Sequence, residues 1–260
     1  MAAKKSASAG DRTISRGAAR PRSPAQRLRA IYIRLVKRFG PQQWWPAKTA
    51  FEVVIGAYLT QNTAWKSVER SIANLEARSV LSIDGLRAIP EAELRDLIRP
   101  SGFMLRKAAA LKAFVAFLDA HYGGRIETLR AAALESPFAV REQLLALPGI
   151  GPETADAILL YALDTPAMVV DEYLRRIVVR HGLIPEKAKY AEIQALAEDA
   201  FAPERAHENS PHLARHYNEF HALVVQIGKT HCRRVALCEA CPLQWDLKNI
   251  RPKLRAKTPA

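Results

Sequence analysis

Apolar residues recur at helical spacing along most of the chain. Between Ala25 and Phe39 they stand at Leu28, Ile31, Ile33, Leu35 and Val36, which predicts a first helix. Similar patterns predict helices over 48–59, 64–77, 104–121, 125–133, 137–146, 152–163, 188–202 and 213–228. A short helix follows Pro90, whose early acids suit a first turn, and "SGF" at 101–103 breaks the chain before the next. "MVVDEYLRRIVVRHGLI" reads as a helix that begins at Asp171, with "MVV" as a lone extended segment before it. No period-2 alternation is long enough for a sheet, and no internal repeat appears, so the fold class is all-α.

Between two predicted helices lies "LPGIGPETAD", residues 147–156. Gly149 and Gly151 give the backbone freedom and allow another molecule close to it. Pro152 suits a first helical position, where no N–H is required. The free N–H groups of such a turn form an anion site, and a phosphate is its natural occupant. An ordinary helix connector is the plain alternative.

Charge points the same way. The 260 residues carry a formal net charge of +13, which favours a polyanionic partner such as nucleic acid or an anionic membrane surface. No apolar run is long enough to span a bilayer. Residues 1–28 hold seven Lys and Arg against a lone Asp11 and read as a disordered basic arm, without the apolar core of a secretory signal. A bacterial arm that brushes DNA and an organelle transit peptide both fit that composition. Residues 248–260 read as a basic tail. The three cysteines, Cys232, Cys238 and Cys241, are clustered and odd in number, which speaks for a reducing compartment rather than a disulfide framework.

The turn, together with "FEVVIGAYLTQNT" (51–63) and "GKTHCRRVALCEACPL" (228–243), resembles the endonuclease III superfamily of DNA glycosylases, which pair a helix–hairpin–helix with a Gly/Pro-rich loop and an aspartate. The resemblance spans roughly residues 44–243. "WWPA", "TQNTAW", "RPSGF" and "GIGPETADAILLYA" are most similar to its 3-methyladenine DNA glycosylase branch.

The resemblance implies specific roles. Asp171 matches the catalytic aspartate, whose charge would stabilise an oxocarbenium-like sugar or orient a water. A helix start would keep it ionised, although Asp is also a common structural N-cap. Bifunctional members use a lysine in the hairpin's second helix to form a Schiff base. Glu153 stands at that position, and no lysine lies between Lys112 and Lys187, so the enzyme is expected to release bases without cutting the strand. Trp44, Trp45 and Trp65 are expected to line a pocket for a flipped base, with Glu52 and Tyr161 as weaker candidates. Their faces suit a cationic alkylated purine, at about 0.5–2 kcal/mol per contact. They could equally pack the core. Gln61 matches the residue that intrudes into the duplex. Asn62, Gly149, Gly151, Thr154, Lys229, Arg233 and Arg234 are expected to contact DNA, with a solvated face as the alternative for the cations.

Cys232, Cys238 and Cys241 resemble the family's iron–sulfur loop, but its usual fourth cysteine is replaced by Leu247. A [4Fe–4S] cluster completed by Asp246 or His231, a zinc site of three Cys and one His, and a loop without a cluster all fit. The implied molecule is a monomer with two helical lobes, 48–165 and 29–47 plus 166–227, and a cysteine loop at 228–247. Its partner is damaged duplex DNA and its place the bacterial cytoplasm or nucleoid, with organelle or nucleus still open. The alternatives are a glycosylase for mismatched or oxidised pyrimidines, and a non-catalytic DNA-binding module.

Overall fold

A computed structural model describes residues 23–42, 44–205 and 211–247. The expected tail and all of the expected arm before residue 23 lie outside them. Within them the protein is built from α-helices and short helical turns, without a strand.

Helix α1 (Pro24–Phe39) starts where the sequence pattern places it. Ser23 caps it, Gln26 closes a capping box, and Pro24 occupies the first turn. Arg27 and Leu28 therefore belong to a folded helix and not to a disordered arm, because Leu28, Ile31, Tyr32 and Leu35 form its buried face.

Helix α2 (Ala50–Leu59) is buried on every side, as its sequence, apolar except for Glu52, requires. Around it pack α3 (Trp65–Ala77) and α6 (Met104–Tyr122). The short α4 (Ile83–Ala88), which the apolar pattern did not reveal, packs on α6 beside α5 (Glu91–Leu97). Only Leu86 of α4 is buried, too few positions to show a period. Next come α7 (Ile126–Glu135), α8 (Pro137–Leu145) and α9 (Pro152–Ala157), which pack on each other in sequence order or on α6.

The segment expected as one helix over 152–163 is α9 followed by a π-turn at Ile158–Ala162. The Leu163 N–H reaches back to the Ile158 carbonyl, and the turn packs on α2. An extended stretch, 164–170, then leads to α10 (Glu172–Arg180). Helices α11 (Tyr190–Ala200), α12 (Ala202–Arg205) and α13 (Pro211–Thr230) follow, and α14 (Gln244–Leu247) closes the described chain. Helix α1 packs on α11 and α13, and α10 on α13. One continuous apolar core runs from Leu28 to Leu243.

Candidate active site

Asp171 is the N-cap of α10. Its Oδ1 accepts the Leu174 N–H at 2.7 Å. Its Oδ2 lies 3.7 Å from Nε2 of His221, and the residue is only 9% exposed. Both groups line a cleft of about 890 Å³. The same cleft has aromatic lining: the Trp45 and Trp65 rings meet edge-on at 5.3 Å, and Trp44 packs against both at 5.9 and 6.3 Å. Gly56 permits this lining, since a Cβ there would come within 3.3 Å of the Trp45 ring. Tyr161 packs against Trp45, with ring centroids 5.1 Å apart, but is buried and does not line the cleft.

The Tyr161 hydroxyl sits 2.6 Å from His221 Nδ1, and His221 Nε2 is buried without a partner among the described residues. Burial, and then the charge of Asp171, pushes the Tyr161 phenol well above its ordinary value, so it stays protonated. His221 escaped the sequence reading. Its only signal was one polar residue inside the apolar run "FHALVV".

Glu153, at the start of α9, also lines the cleft. Burial pushes its carboxyl up to about 7, helped by the negative charge of Asp171. The residue as a whole is nonetheless exposed. Lys229 stands at the rim, its ammonium 5.4 Å from the Trp44 ring centre.

The hairpin lies at the same mouth. Gly149 takes φ +80°, the left-handed region that favours glycine. A Cβ on Gly151 would meet nothing within 4 Å, which leaves its backbone open to approach. Gln61 spans to this turn, donating to the Gly149 carbonyl at 2.7 Å and to Thr154 Oγ1 at 2.8 Å. The Thr154 side chain is thus buried and engaged within the protein. Asn62, beside Gln61, is exposed with φ 51°. Lys107 supports this loop from below, donating to the Leu59 and Ser101 carbonyls and to Thr63 Oγ1.

Three expected residues stand elsewhere. Glu52 does not line the cleft. Its Oε2 accepts the Lys48 N–H at 2.9 Å, which serves the start of α2. Arg233 and Arg234 do not line the cleft either, and Arg233 donates to the Lys229 carbonyl.

A buried network fixes the approach to Asp171. Asp156, fully buried on α9, receives Arg141 Nε at 2.6 Å, Tyr190 OH at 2.7 Å and Gln194 Nε2 at 2.9 Å. Tyr190 in turn accepts the Val170 N–H, and Gln194 donates to the Met168 carbonyl. Burial and the adjacent Asp156 charge raise the Tyr190 phenol far above its usual range, so it acts as a donor. The stretch before Asp171 is therefore pinned to the hairpin helix. Asp156→Asn would turn an amide N–H₂ toward donors, and unfolding in urea should show a loss of about 2 kcal/mol. A loss under 0.5 kcal/mol would mean the network relaxes around the amide.

The chain matches the family model of the HhH-GPD superfamily of base excision DNA repair proteins over residues 55–203. It is 44% identical over 214 residues to a Methanocaldococcus jannaschii protein provisionally named a DNA repair glycosylase, covering 82% of this chain and 92% of that one. The chain belongs to this superfamily. Endonuclease III of Thermotoga maritima is 29% identical over 199 residues, covering 75% of this chain and 80% of that one. The 3-methyladenine DNA glycosylase of H. pylori, solved bound to 1,N6-ethenoadenine, superposes with a TM-score of 0.67 at 30% identity. That match covers 80% of this chain and 98% of the other. HhH-GPD membership and the helical architecture thus agree with the sequence-based expectation.

The cysteine loop of this superfamily member supplies three thiols. Cys232, Cys238 and Cys241 line one small cavity together with His231, and Leu247 stands on its wall with Leu237 and Leu243. Asp246 cannot complete a ligand set, because Arg27 and His181 occupy its two oxygens. Arg180 donates to Cys232 Sγ at 3.2 Å and to the Arg233 and Arg234 carbonyls, and so braces the loop directly. His231 Nδ1 contacts Thr230 Oγ1. Among the described residues no group of three or more such side chains could hold a metal ion. Nor is any described helix long and apolar enough to cross a membrane.

Proposed function

We propose that this HhH-GPD protein is a monofunctional DNA glycosylase that releases a damaged purine of the alkylated type from duplex DNA. One observation carries the reading: the Asp171 carboxylate faces a cleft walled by three tryptophans, with a carboxylate and not an amine at position 153. A flipped base would stack on the indoles, where a cationic alkylpurine gains cation–π attraction. The base then departs as an easy leaving group, while Asp171 stabilises the positive sugar. The hairpin at Gly149–Gly151 would hold the adjacent phosphate, and the net charge of +13 suits a DNA partner. The 30% identical 3-methyladenine glycosylase structure, bound to a modified adenine, supports the purine assignment.

The His221–Tyr161 pair favours a second reading, a neutral damaged base held by hydrogen bonds. A panel of lesion-bearing duplexes, scored separately for free base and strand breaks, decides between them. Base release without strand breaks is the expected result. Borohydride added during turnover should trap no covalent complex. A trapped complex would overturn the monofunctional assignment, and its loss in Lys229→Ala would identify the amine, since Lys229 reaches the cleft.

A further inference from the structure

Three carboxylates line the cleft, those of Glu153, Asp171 and Glu172; Glu172 is paired with Arg176, and the surroundings of the other two differ. Asp171 is locked: Oδ1 takes a helix N–H, and Oδ2 is turned to His221. The Leu174 N–H thus fixes the orientation of the Asp171 carboxylate and takes up one of its oxygens. Glu153 makes no hydrogen bond or ion pair among the described residues, and its carboxylate opens to the same space. From α10 it faces Asp171 and Glu172, from α13 His221, and from α11 the Tyr190 phenol. Arg176 and Lys229 line other parts of the same cleft.

We propose that Glu153, and not Asp171, is the general base for the water that replaces the departing base. The inference rests on the glycosylase reading above and divides its chemistry between the two acids. The water oxygen bonds to C1′ as the C1′–N bond breaks. The electron pair of that bond leaves with the base, so a cationic alkylpurine departs neutral. The water's proton passes to a Glu153 oxygen and is later returned to solvent. Asp171 keeps its charge throughout and steadies the cationic sugar. Two carboxylates with contrasting environments and separate roles are a recurring solution in glycosidic chemistry. The raised Glu153 carboxyl suits this role, because a base titrating near the working pH accepts a proton most effectively.

The test uses the full chain and methylated duplex DNA, with release of 3-methyladenine followed under single-turnover conditions from pH 5.5 to 9. The wild-type rate should fall about tenfold per pH unit below about 7, where Glu153 gains its proton, and level off above. Glu153→Gln should lose that limb and slow release by about a hundredfold or more, with DNA affinity and thermal melting unchanged. Formate should restore part of the rate to Glu153→Ala, which a merely structural role would not permit. A Glu153→Gln enzyme within threefold of wild type, or one that keeps the acid limb, overturns the proposal. If Asp171→Asn abolishes release while Glu153→Gln does not, only the role of Glu153 falls. If wild type releases no base from any lesion, the glycosylase reading falls with it.

Discussion

Asp171→Asn should slow base release by about a hundred- to a thousandfold while leaving the fold and DNA binding intact. That range is what removal of one preorganised charge-stabilising group typically costs, about 2.7–4 kcal/mol in the barrier. The substitution separates two roles. Asn is as good an N-cap as Asp, so its Oδ1 can still accept the Leu174 N–H and α10 keeps its start. What disappears is the negative charge at Oδ2, which faces the cleft beside His221. Asp171→Ala would remove cap and charge together, adding about 1 kcal/mol of instability and confusing the result. Single-turnover kinetics on methylated DNA, with melting temperature and DNA affinity measured in parallel, give the answer. A rate within tenfold of wild type would leave Asp171 as a cap alone.

The helices were legible because each buries a face large enough to show its period. The start of α10 could be read from Asp171, whereas the cap of α1 at Ser23, Pro24 and Gln26 fell within the segment expected as a basic arm. Where burial was sparse, as in α4, the signal vanished. The tryptophan cluster was visible as composition, and its ring contacts bear out the proximity of the three, although not their role. Glu52, expected as a weaker pocket candidate, instead turns its carboxylate back to the Lys48 N–H at the start of α2. Contacts between distant segments were invisible. Tyr190 and Gln194 are 34 and 38 residues away from Asp156, the acid they serve, and no local pattern announces such a network. His221 meets Tyr161 from 60 residues away.

The same limit hid what joins the first and last described helices, α1 and α14, and there the largest stability effect is expected. Asp246→Ala should destabilise the protein by about 3–5 kcal/mol, the usual cost of removing one partner from a buried ion pair. The Asp246 carboxylate is fully buried. Arg27 donates to both of its oxygens, at 3.0 and 2.8 Å, and His181 Nδ1 lies 2.8 Å away. Arg27 also donates to the His181 carbonyl at 2.7 Å, so α1, the end of α10 and α14 meet at one carboxylate. Burial alone would raise this carboxyl. The bonds from His181 and Arg27 outweigh it and hold the carboxyl below the usual carboxylate range. Without the acid, a largely buried guanidinium loses its partner, and the melting temperature should drop by on the order of 10 °C. Asp246 lies outside the cleft, so base release per folded molecule should not change. Replacing Arg27 and Asp246 together with Met and Leu should recover much of the loss, because the cost comes from an unpaired charge and not from the missing pair itself. A single variant that loses less than 1 kcal/mol would show that water reaches Arg27 and that the three-helix junction does not depend on this carboxylate.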